Sequence, residues 1–238
     1  MKAVFAQVPM GDAFRGTVGV GGLLNAQFIS LWLPLTQSLS VGNSLAISNN
    51  PAYADQIKAA NPQAADGPFT LFVEGDPSKG WGAFCVMSAV PATYLTLVNI
   101  GGANFSQYTA GGARPGTNVV TRYQRVRIDP VSLAVDPNDT TFARSTGMIS
   151  DGRGGAIGTE VGYGAACDCI TGSSKTGIAN VDLGGTPFAV APAAFQLTGF
   201  VPGGTTVYSA DNKVVNLTGG PYRHAHYRAR LDVVFTNK

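Results

Sequence analysis

The residues best suited to chemistry are two close pairs of metal-ligand types. His224 and His226 flank Ala225, and on a strand that spacing puts both imidazoles on one face. Cys167 and Cys169 flank Asp168 in the same way. Two thiolates with two imidazoles form a tetrahedral zinc set. The local sequence argues against the metal. Arg223, Arg228 and Arg230 crowd the histidines, and nearby positive charge disfavours a cation. The Cys-x-Cys spacing is also tighter than that of structural zinc sites. With Cys85 the thiols are odd in number, and a bridge across one residue is strained. The expectation is therefore three reduced thiols, no metal and no other cofactor.

Arginine is the second chemistry-bearing type. It recurs at Arg122, Arg125 and Arg127, then at Arg223, Arg228 and Arg230, with Tyr123, Tyr222 and Tyr227 interleaved. Arginine with aromatics grips nucleic acid and also makes interface hot spots. The net charge is only +2 and no basic tail is present, so contact between subunits is the preferred reading and direct nucleic-acid binding is not expected. The interface candidates are Arg122, Arg125, Arg127, Tyr222, Arg223, His224, His226, Arg228 and Arg230.

Other motifs fall short. Gly172-Ser173-Ser174-Lys175-Thr176 lacks the glycines of a phosphate loop, and no G-x-S-x-G elbow occurs. Asp151-Gly152-Arg153-Gly154-Gly155 reads as a loop. The carboxylates Asp129, Asp136, Asp139, Asp151, Glu160 and Asp168 sit in turn-like or loop-like sequence, where aspartate serves the backbone. Sequons begin at Asn104, Asn138 and Asn216, and matter only on a secretory route. No catalytic set is expected.

The elements that would carry these residues are mostly strands. Phe14–Val20, Gln27–Leu33 and Leu39–Ile47 are the first three. Asn50 and Pro51 then suit the start of a helix over Pro51–Ala60. Phe69–Glu74, Trp81–Val90 and Thr93–Ile100 read as strands, Gly101–Gly116 as a loop, and Asn118–Ile128 as one alternating strand. Ser150–Lys175 reads as a surface excursion. Short strands follow at Phe188–Ala191, Gln196–Val201, Thr205–Tyr208 and Lys213–Leu217. The last strand, Tyr222–Phe235, alternates most clearly, with Leu231, Val233 and Phe235 on the face opposite His224, His226, Arg228 and Arg230.

This pattern predicts a mainly β protein: an antiparallel sandwich or jelly roll with long Gly-rich loops and one short helix near 51–60. A single β domain over 1–238 is expected. The echo of Arg125–Asp129 in Arg228–Asp232 offers an alternative, two duplicated halves at about 1–135 and 136–238.

Only 13% of the 238 residues are charged, against roughly 25% in ordinary soluble domains. None lies between Gly16 and Ala54. Polar breaks such as Asn25, Gln27 and Pro34 exclude a membrane span there. Gln7, Pro9 and Asp12 interrupt any secretory leader. A neutral surface is one to be covered by neighbours, while reduced thiols suit cytosolic folding. Both hold for a structural protein of a virus particle, a bacteriophage capsid or cement component above all, made in the host cytoplasm and located in the virion. Its partners are other copies of itself and other virion proteins, and it is not an enzyme. An extracellular fibre, pilus or surface-layer subunit is the alternative. A jelly-roll carbohydrate-binding module or enzyme is the third reading.

Overall fold

The computed structural model describes residues 50–112, 114–151, 153, 155–168, 176–195, 204–219 and 231–236. The first three expected strands, Gln196–Val201 and most of Tyr222–Phe235 lie outside them. Within them the protein is mainly β, antiparallel, with one short helix. The elements are α1 (Ala54–Ala60) and β1 (Gly67–Phe72), β2 (Gly80–Val86), β3 (Ala92–Thr96), β4 (Phe105–Thr109), β5 (Gly116–Tyr123), β6 (Arg125–Asp129), β7 (Ala134–Asp136), β8 (Ala143–Ser150), β9 (Ala156–Gly158), β10 (Ala166–Asp168), β11 (Gly177–Asp182), β12 (Phe188–Val190), β13 (Gly204–Tyr208), β14 (Val214–Gly219) and β15 (Leu231–Phe235).

Two sheets form. One runs β1-β2-β3-β6-β7-β15-β12; the other runs β13-β14-β11-β4-β5-β8-β9, with β10 added to β4. Their inner faces share one hydrophobic cluster. Leu71, Trp81, Leu95, Val126, Ile128, Phe188 and Val233 come from the first sheet, and Tyr123, Val181, Val215 and Leu217 from the second. This is the arrangement of a β-sandwich. Trp81 of β2 meets Phe188 of β12 edge to face, with ring centroids 5.0 Å apart. In a flat sheet those strands would lie about 24 Å apart at the usual strand spacing. The seven-stranded sheet is therefore strongly coiled around its core.

The run from Gly116 to Asp129 passes from one layer to the other with no intervening loop. The expected single strand Asn118–Ile128 is two strands, β5 in one sheet and β6 in the other. Val119, Thr121 and Tyr123 face inward, then Val126 and Ile128 do, so the alternation slips by one residue at Gln124. That residue is the corner: its N–H donates to Phe142 O (3.0 Å), and its carbonyl accepts from Leu97 N (3.0 Å).

The helix begins at Ala54 rather than Pro51. The Pro51 carbonyl accepts the Phe72 N–H at 2.9 Å, so residues 50–52 cover the end of β1 instead. Gln56 Oε1 accepts the Ala52 N–H at 2.6 Å, half of a capping box shifted by one residue.

Two further expectations are corrected. Gly101–Gly116 is not all loop, because it contains β4, a central strand. Ser150–Lys175 is not all surface, because Val161, Tyr163 and β10 are buried. Strands β8 and β11 were not expected at all. Val233 is buried while Phe235, packed on Phe188 at 5.7 Å, is half-buried.

Polar ties hold the layers together. The Lys213 ammonium donates to Thr186 O (2.7 Å) and Phe188 O (2.9 Å), and so fastens the β13–β14 hairpin to β12. Asn104 is fully buried with φ at 54°, the left-handed region that asparagine tolerates. Its Nδ2 donates to Asn99 O (2.6 Å) and Asp182 O (2.8 Å). Its Oδ1 accepts from Asp182 N (2.8 Å) and from the Tyr163 hydroxyl.

Among the described strands, β10 and β4 alone pair in parallel. Its backbone rests on Gly177 of β11 and Gly219 of β14, which face each other in the ladder. A Cβ at Gly219 would stand 2.1 Å from Ala166 O, and one at Gly177 2.3 Å from the Cys167 carbonyl.

Two outcomes follow. Asn104→Ala strands two carbonyls, an N–H and a phenol in the core, and should cost on the order of 3 kcal/mol or more in denaturant unfolding. Gly219→Ala should displace β10; amide exchange at Ala166–Asp168 should rise far more than at Val119 or Tyr123. A variant as stable and as protected as the parent would refute either account.

Candidate assembly surface

Described arginine candidates fall on two different outer faces. Arg125 and Arg127 lie on the outside of β6, and Arg122 on the outside of β5 in the other sheet. The sequence grouped all three; the corner at Gln124 separates them. Tyr222, Arg223, His224, His226, Arg228 and Arg230 lie outside the described residues, as do Cys169 and Gly172–Lys175.

On the seven-stranded sheet the two arginines act within the chain. The Arg125 guanidinium lies 3.9 Å from the Phe84 ring centre and 4.8 Å from that of Phe142. Its Nε donates to Thr96 Oγ1 at 3.2 Å. Phe142 packs edge-on against Phe84 (5.4 Å) and Tyr94 (4.8 Å). Arg127 pairs with Asp139 at 3.6 Å, and the Tyr94 hydroxyl donates to the same carboxylate at 3.1 Å. Burial, with the Asp139 charge adding, pushes the Tyr94 phenol up. A cation held over aromatic faces stabilises by about 0.5–2 kcal/mol. These residues clamp the segment from Asp139 to Phe142 onto the outer face.

The eight-stranded sheet is different. Ladder registers align one outward row across six strands: Val207, Asn216, Asn180, Phe105, Arg122 and Arg144. A neighbouring row carries Gln107, Val120 and Thr146. Val207 is 58% exposed, Met148 47% and Ile178 37%. The described outward side chains of β4, β5, β8, β11, β13 and β14 in these rows include two arginines and no carboxylate. This is an open face of amides, hydroxyls and apolar groups.

A cleft of about 470 Å³ lies between α1 and the strands β3, β6 and β7. Tyr53, Pro91, Thr93, Arg127 and Pro130 line it together with Asp55, Asp129 and Asp136. The three aspartates are exposed.

Most described carboxylates serve turns, two of the cleft's among them. Asp76, Asp129, Asp136, Asp139, Asp151 and Asp211 each accept the backbone N–H two residues on, at 2.7–3.1 Å. The hydrogen bonds to Arg153 and Gly155 hold the Asp151 carboxyl below its usual range. Asp168 departs from the turn reading: it is fully buried and accepts from Thr176 N (2.9 Å) and Oγ1 (2.8 Å). Among the described residues no three His, Cys, Asp or Glu side chains are grouped to hold a metal ion, and no helix is long and apolar enough to cross a membrane.

The fold defines a two-sheet antiparallel β protein with one unusually neutral sheet face. Compared with known proteins, the chain matches no family model, no curated protein and no solved structure.

The Cys85 thiol is fully buried, and burial pushes it up from 9.0 to about 11 against a smaller opposing bond from Thr93. Burial raises the Tyr123 and Tyr163 phenols in the same direction. The folded chain thus holds protons that the unfolded chain releases. Stability should be full below pH 9 and fall as pH rises toward 11. Unfolding free energies across that window should show the loss, and Cys85→Ala should shrink it. Native Cys85 should also resist a thiol reagent at pH 8; rapid labelling without unfolding would contradict its burial.

Proposed function

We propose that this chain is a structural subunit of a virus particle, a bacteriophage capsid or cement component, and that it acts by self-assembly. The observation that carries the reading is the outer face of the eight-stranded sheet. A free surface normally carries charges of both signs; this one carries Val207, Ile178 and Met148 in the open with amides and hydroxyls, and the one outward carboxylate among its described strand residues, Asp182 at the end of β11, is engaged by Asn99 Nδ2 and the Gly184 N–H. Such a composition matches the core of a protein–protein contact, where charge is depleted and arginine enriched. The 13% charged content and the charge-free stretch from Gly16 to Ala54 extend the same character over the chain. The proposed mechanism is burial of neutral sheet surface between copies, the sandwich serving as a rigid block.

Sedimentation of the full chain at micromolar concentration tests this. A large or symmetric assembly is the expected result, and Ile178→Lys with Val207→Lys should shift it toward the monomer without changing the circular dichroism spectrum. A parent chain that sediments as a monomer would overturn the proposal.

A further inference from the structure

The neutral sheet face carries a charge conflict. Arg122 and Arg144 stand directly opposite each other in the β5–β8 ladder, both exposed. Like charges at opposed positions destabilise an antiparallel pair. Arg122 Nε donates to the Gly101 carbonyl at 3.1 Å. Among the described residues, neither arginine has a carboxylate within 4.0 Å. The pair therefore suits a carboxylate-bearing partner from outside the chain.

The cleft beside α1 offers the opposite character. Asp55, Asp129 and Asp136 line it, and Arg127, the one guanidinium among its described lining residues, is engaged with Asp139. Val90 and Val131 stand next in sequence to the wall prolines Pro91 and Pro130, 75% and 71% exposed. They match in kind the exposed Ile178, Met148 and Val207 of the sheet face.

We propose that copies of this chain join head to tail, the Arg122–Arg144 pair and the neutral face of one copy seating on the acidic cleft of the next. This rests on the reading of the chain as an assembly subunit and names the surfaces it uses. The occupant follows from charge: two copies meeting through the same face would bring four arginines together, whereas face and cleft are complementary. The contact joins two different surfaces, so each added copy leaves one of each open. Such a contact closes into a ring or continues as an array.

Complementary variants test it by sedimentation. R122E/R144E spoils the face and leaves the cleft. D55K/D136N spoils the cleft and leaves the face, and asparagine keeps the oxygen that accepts the Asn138 N–H. Each variant alone should associate at least about tenfold more weakly than the parent, and an equimolar mixture should give a discrete two-chain complex. Both must unfold at the parent temperature; R122Q/R144Q replaces a face variant that does not. Variants that each assemble like the parent overturn the contact, as does a mixture that stays monomeric, while assembly of the parent keeps the broader reading standing. If R122E/R144E assembles normally but loses retention of a single-stranded oligonucleotide, the pair serves nucleic acid and the inference fails. A monomeric parent chain overturns both.

Discussion

The buried amide of Asn104 is the constraint on which the eight-stranded sheet depends. An asparagine side chain offers two donors and two acceptor sites. Here all four are filled, by Asn99, Tyr163 and Asp182, which contributes both a carbonyl and an N–H. The backbone of the same residue takes Asn180 Oδ1 and the Tyr123 N–H. The entry of β4, the exit of β11, the end of β5 and the segment around Tyr163 thus meet at one residue. In a dry interior a fully satisfied network fixes a single arrangement, because each alternative strands a polar group. Tyr163 is locked twice, by this bond and by its ring against Tyr123 at 4.9 Å. Burial also closes the sequon that begins at Asn104 in the folded chain.

Charge is used sparingly and mostly inward. Arg125 and Arg127 hold a loop onto one sheet, Lys213 fastens a hairpin to β12, and seven described aspartates form turns. The Arg122–Arg144 opposition is conspicuous against that background.

The mainly β class, the short helix and the hairpin β13–β14 were legible because apolar residues alternate there and turns announce themselves. Where the inner face is not apolar, the alternation misleads. In β4 the inward residues include Ser106, and Phe105 is only half-buried, so the strand reads as part of a loop. In β11 the pattern inverts: Ile178 is exposed while Gly177 and Ala179 face inward, because the backbone of β10 fills that space. The corner at Gln124 was visible as a one-residue slip between Tyr123 and Val126, yet a slip inside an otherwise regular run passes as one strand. Composition alone pointed to a covered surface. Which sheet face is poor in charge required the ladder registers, since Arg122 and Arg144 are distant in sequence and meet only across β5 and β8.

The seat of β10 bears on the order in which the molecule is made. The two glycines beneath it come from β11 and β14, both later in the chain than β10 itself. During synthesis, the segment Ala166–Asp168 leaves the ribosome before its support exists, and it has β4 alone to pair with until Gly219 is added. Closing that layer is then a late event that joins residues far apart in the chain, the kind of step that slows β proteins. A chain interrupted before Val214 has strands enough for a partial sheet but only the Gly177 half of the floor beneath β10. Synthesis through Gly219 thereby becomes a checkpoint, because the eight-stranded sheet is consolidated only once β14 is present.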